Sequence, residues 1–62
     1  MIRKGTITFI DEDRSGVITD ENEQEITFSL ENYKNQVWIG MDIYFVIEMS
    51  QTGLVANGIE PA

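Results

Sequence analysis

Arg14-Ser15-Gly16-Val17-Ile18-Thr19-Asp20-Glu21-Asn22-Glu23-Gln24-Glu25-Ile26-Thr27-Phe28-Ser29-Leu30 is the stretch whose reading decides the fold. Both of its ends have strand character. Val17-Ile18-Thr19 is β-branched throughout, and Ile26 to Leu30 alternates apolar and polar residues with period two. Between them, Asp20-Glu21-Asn22-Glu23-Gln24-Glu25 is polar and acidic, has nothing to bury, and reads as a turn. The simplest structure is a β-hairpin. Side chains alternate along a strand, so Ile26, Phe28 and Leu30 point to a core and Thr27 and Ser29 point away from it.

Working outward, Lys4 to Ile10 is β-branched or aromatic after Gly5 and reads as a first strand, with Asp11 to Gly16 as the turn that follows it. On the far side, Glu31 to Gly40 loses the alternation and reads as a loop with room for a turn of helix. Ile43 to Glu48 is the clearest strand in the chain, with Ile43, Phe45 and Ile47 on one face. Ser50 to Gly53 is a turn, and Leu54 to Ile59 is a last strand before Pro61, which is expected to stop the ladder.

Five short strands in 62 residues make a single domain covering the whole chain. As an open sheet they would leave two raw edges and one unburied face, so closure into a small all-β barrel is expected. An SH3-like barrel and an OB-type barrel both satisfy that requirement. The chain has no cysteine or histidine, which excludes disulfides and Cys/His zinc sites and leaves stability to packing and backbone pairing. No apolar run approaches the roughly 20 residues that span a bilayer, and Met1 to Lys4 leads into no signal-like apolar segment. A cytoplasmic, soluble protein is the expectation, either a monomer or a weak homodimer.

Four basic and eleven acidic residues give a net charge of −7, which in general disfavours phosphate backbones. Distribution counts for more than the sum. Arg3, Lys4 and Arg14 all fall in the first quarter of the chain and could share a sheet face, with the acids forming a solvated rim.

The order of features resembles the bacterial cold-shock proteins, single-domain OB-fold barrels that run G-x-V-K-W-F-N-x-x-K-G-F-G-F-I-T, D-V-F-V-H-F, G-x-x-V-x-F-x-I-E and G-P-x-A-x-N-V. This chain carries Gly5-Thr6-Ile7-Thr8-Phe9-Ile10-Asp11, Arg14-Ser15-Gly16-Val17-Ile18-Thr19, Glu25-Ile26-Thr27-Phe28-Ser29-Leu30, Gly40 through Glu48, and Gly53 through Ile59. The resemblance spans Lys4 to Ile59. It implies a five-stranded antiparallel OB-type barrel in preference to the SH3-like one. Ile7, Ile18, Ile26, Phe28, Ile43, Phe45 and Ile47 stand where the family places core residues.

The family binds single-stranded RNA or DNA by stacking bases on exposed aromatics of two ribonucleoprotein-type motifs, and those positions are depleted here. Val17 occupies the place of one phenylalanine, and a second is deleted between Ser15 and Gly16. Thr27, Ser29 and Leu30 stand at the Phe, His and Phe positions of the second motif. Phe9 replaces the first-strand Trp, Ile10 its neighbouring Phe and Thr8 the preceding Lys, so only Phe9 and Arg14 keep the binding chemistry. Stacking is worth about 1–3 kcal/mol per base, so losing three platforms removes roughly 3 kcal/mol. At 1.4 kcal/mol per decade, that is about a hundredfold in affinity.

The implied function is therefore a cold-shock-like module that binds single strands weakly through strands 1–3. Lys4 and Arg14 would meet phosphates, Phe9 would stack, and Thr8, Thr27 and Ser29 would hydrogen-bond. Tyr33 or Trp38 could add a platform. The alternative is a degenerate domain in which Val17, Leu30, Tyr33 and Trp38 form a protein-contact surface.

Several residues admit an ordinary reading as well. Plain alternation puts Phe9 in the core beside Ile7, whereas the resemblance puts it outside. Trp38 could simply close one barrel end. Asp11-x-Asp13-x-Ser15-Gly16-x-Ile18 matches the first half of an EF-hand loop, but the twelfth place holds Asn22 and the flanks read as strands. An acidic β-turn explains those residues better, and no metal or other cofactor is expected. With carboxylates and hydroxyls alone and no acid–base or nucleophile constellation, no enzyme activity is expected.

Overall fold

A computed structural model describes residues 2–30, 36–51 and 53–62. The period-two segments become β1 (Ile2–Ile10), β2 (Ser15–Asp20), β3 (Glu25–Ser29), β4 (Asp42–Ser50) and β5 (Gly53–Pro61). They close into a barrel in the order β1-β2-β3-β5-β4, which is an OB-type arrangement.

Four of the neighbouring pairs are antiparallel, but β3 and β5 run parallel through Thr27–Val55 and Phe28–Ala56. The expectation of an entirely antiparallel barrel is thus corrected, and the reason is parity. Directions cannot alternate all the way round a closed ring of an odd number of strands, so at least one pair must be parallel.

The inward residues form one core of Ile7, Ile18, Ile26, Phe28, Leu30, Met41, Ile43, Phe45, Ala56 and Ile59, with Ile10, Val37 and Ile47 packed against it. Pro61 does not stop the ladder. It lies opposite Ile43 at the end of β5, and the next residue carries the ladder on, Ala62 N donating to Asp42 O at 3.1 Å. A strand donates toward a given neighbour only at alternate residues, so a proline at the intervening position costs no ladder bond.

Both early hairpins turn in the same way. Arg14 N donates to Asp11 O and Asp11 N to Ser15 O; Glu23 N donates to Asp20 O and Asp20 N to Gln24 O. The fourth residue of each turn is left-handed, Arg14 at φ 67° and Glu23 at φ 63°. Side chains rarely adopt this conformation, and glycine adopts it freely.

The two turns differ in their carboxylates. Asp20 belongs to the acidic stretch expected to bury nothing, yet its side chain is only 2% exposed. It faces inward at a barrel mouth, where Oδ1 accepts the backbone N–H groups of Asn22 and Gln24, both at 2.9 Å, and Oδ2 faces Arg3 Nη1 at 3.4 Å. A buried carboxylate is tolerated because these partners satisfy it.

The helical turn considered for residues 31–40 falls mainly on 31–35, outside the described residues. Residues 36–38 are irregular, and a turn at Ile39-Gly40 leads into β4.

Candidate nucleic-acid interface

The position of Phe9 is decided by a β-bulge. Ile7 pairs with Ile18, but the next pair is Phe9 with Val17, so Thr8 is an extra residue on β1. The bulge breaks the alternation, and Thr8 and Phe9 both face outward while Ile7 is fully buried. Phe9 is 51% exposed. Of the two readings open for this residue, the exposed one is correct.

Gly16 makes the bulge possible. It pairs with Ile10, and a Cβ there would lie 2.3 Å from Phe9 O and 2.8 Å from two ring atoms of Phe28. Only a residue without a side chain lets β2 pass this close to the bulged backbone.

Register then sets one outward row around the barrel, with Phe9 on β1, Val17 on β2, Thr27 on β3, Val55 on β5 and Glu48 on β4. Ser15 and Ser29 form the next cross-strand pair on one side of this row, and Thr19 and Glu25 the next on the other. The hydroxyls are already engaged in part. Thr8 Oγ1 donates to Val17 O at 3.3 Å and lies 3.3 Å from Thr19 Oγ1, and Thr27 Oγ1 donates to Leu54 O at 3.5 Å. Arg14 stands at the upper edge beside Ser29. Its Nη2 donates to Leu30 O at 3.0 Å, and its own carbonyl accepts Leu30 N at 2.6 Å.

The other expected site residues divide. Trp38 is 57% exposed and so does not close a barrel end. The turn that follows it is tied to β1, by Gly40 N to Ile7 O at 2.7 Å and Ile7 N to Met41 O at 3.0 Å. Trp38 therefore flanks the strand that carries Phe9. Leu30 is 6% exposed and belongs to the core, so its place as an exposed aliphatic is corrected. It keeps the inward parity of Ile26 and Phe28, and Arg14 fixes it there through both bonds to its backbone. Lys4 is exposed, but it lies five positions from Phe9 on the same strand, about 16 Å away at the usual rise. It is not brought to the Phe9 row, and it sits among Glu21, Asp20 and Asp42. Tyr33 lies outside the described residues.

Acidic turns stand at both ends of the face, Asp11-Glu12-Asp13 at one and Glu21 to Glu25 at the other. Asp13 Oδ1 accepts Ser15 Oγ at 2.6 Å and Ser15 N at 3.1 Å. These bonds, the hydroxyl's first and the backbone's second, hold its carboxyl below its ordinary value of 3.8. The half-motif for calcium is thus an Asp-capped turn between two strands. Among the described residues no group of three acidic side chains is placed to hold a metal ion.

Between β3 and β5, next to the row, lies a groove of about 560 Å³ bordered by Ser29, Glu48, Val55 and Asn57. Sequence reasoning missed this feature. The outward parity of Glu48 and Val55 was visible in the chain, but their position beside Thr27 depends on a pairing between strands distant in sequence.

No protein-family model matches the chain, and no curated protein matches it closely enough to count as a relative. Among the described residues no helix is long and apolar enough to cross a membrane.

Proposed function

We propose that the protein is a cold-shock-like module that binds single-stranded RNA or DNA weakly through the outer face of β1–β3. The observation that carries this reading is the bulge, which turns Phe9 out of the barrel beside a row of hydroxyls. A half-exposed ring on a rigid sheet is a stacking platform, and every base has a π-face to offer it. Thr8, Thr27 and Ser29 supply neutral hydrogen-bonding groups, Val17 extends the apolar strip, and Trp38 offers a second ring on the flank of β1. Arg14 is the described cation next to this face, since Arg3 pairs with Asp20 and Lys4 lies away from it. The role is passive, holding strands without chemistry.

With so little positive charge, affinity is expected in the range of non-specific binding, on the order of micromolar to a hundred micromolar. The salt dependence should be shallow, about −0.7 in log K against log salt for one neutralised phosphate. The test is a titration of Trp38 fluorescence with oligo-dT at low salt. Phe9→Ala should weaken binding about tenfold, in the lower half of the range for one lost platform. Equal affinity of the two proteins would remove the proposal.

A second reading is favoured by the acidic turns at both ends of the face, which repel phosphates and steer basic partners. In it, Val17 and Trp38 belong to a protein-contact surface.

A further inference from the structure

β3 and β5 pair only through Thr27–Val55 and Phe28–Ala56, and where they part the groove of about 560 Å³ opens on the barrel wall. Phe28 and Ala56, both buried core residues, form its floor, and Ser29, Glu48, Val55 and Asn57 form its sides. Among the described residues no lysine or arginine lines it. Glu48 is exposed at its edge, opposite Val55, and its carboxylate has no hydrogen bond or ion pair to any described residue.

This chemistry selects its occupant. A phosphate would meet the Glu48 carboxylate and no compensating cation among the described residues, so Coulomb repulsion disfavours it. A side chain with an apolar stem and a cationic head fits both parts of the groove. Its methylenes would lie on Phe28, Ala56 and Val55, and its head would reach Glu48. The net charge of −7 draws basic segments toward the barrel at long range.

We infer that the β3–β5 groove is a docking slot for a lysine or arginine side chain on an extended basic segment of a protein partner, with Glu48 as its counter-charge. The slot goes beyond the nucleic-acid reading and does not depend on it: Thr27 and Ser29 border both, but Glu48 and Val55 carry the slot and Phe9 takes no part.

The test uses the full ¹⁵N-labelled chain and a short peptide of alternating lysine and valine at low salt, followed by amide shifts. Shifts are expected at Val55, Asn57 and Gly58, which take no part in the nucleic-acid face, with Phe9 and Val17 unmoved. Glu48→Gln should weaken binding about fivefold. Glu12→Gln, which makes the same charge change on the β1–β2 turn, should weaken it less than about twofold, because an exposed, distant charge is screened. Three results would each overturn the slot: no groove shifts up to millimolar peptide, equal losses from the two variants, or the same groove shifts produced by a glutamate–valine peptide or by oligo-dT. Failure of oligo-dT to move Phe9 would count against the nucleic-acid reading alone.

Discussion

On the inner side of β1–β3, Ile7, Ile18, Ile26 and Phe28 are all buried and interlocked. On the outer side of the same strands, one exposed ring stands among threonines, serines and a valine. The inner side must be filled because a 62-residue barrel has no spare apolar surface to lose. The outer side is free of that demand, and the proposed grip rests on its composition. The difference teaches that shape and grip are separable in this chain. The core fixes the barrel tightly, while the face carries a single exposed ring with acidic turns at either end.

Gly16 is where the two sides meet, and changing it should have the largest effect. Gly16→Ala places a methyl group against the Phe9 carbonyl and the Phe28 ring, and should cost about 3 kcal/mol or more in denaturant unfolding. Any variant that still folds should lose the outward set of Phe9 as well. Phe9→Ala sharpens the contrast from the other side. It should cost binding about tenfold while leaving stability within about 1 kcal/mol. Asp20→Ala comes next. It strands the N–H groups of Asn22 and Gln24 and unpairs Arg3, and should destabilise by about 2 kcal/mol without touching the outer face.

Glu23→Gly should act in the opposite direction. Relief of the left-handed conformation at φ 63° should gain up to about 1 kcal/mol, read as a shift in the denaturation midpoint.

The smallest effect belongs to Asp13, on the solvated turn. Its carboxyl is held below 3.8 by Ser15 in the folded state, so its contribution to stability is complete above that value. The contribution is lost as pH falls through the lower folded value. The stability difference between the protein and Asp13→Ala should be constant around neutrality and shrink only below about pH 3.8.

Much of this comparison was legible in the chain. Period-two patterning located β3 and β4, and β-branched or aromatic composition between turn residues located the other strands. The core parity of Ile26, Phe28 and Leu30 was likewise plain from alternation, and the alignment that set Leu30 outside failed against it. The bulge at Thr8 was not legible from alternation, because a strand does not show which residue its partner will leave unpaired. Gly16 was the hint, since a glycine within a strand often marks a close backbone approach. The parallel β3–β5 pair was implicit in closing an odd number of strands, but the groove beside it required the register. Asp20 read as one more acid in a turn. Its burial follows from inward parity with Ile18 and from Arg3 across the barrel mouth, which no local window contains.

The most direct measurement is an amide-shift titration of the ¹⁵N-labelled protein with oligo-dT at low salt, repeated at physiological salt. Shifts are expected at Thr8, Phe9, Arg14, Val17, Thr27, Ser29 and Trp38, with a dissociation constant on the order of micromolar or weaker. An unmoved Phe9 face, or nanomolar binding at physiological salt, would contradict the proposal.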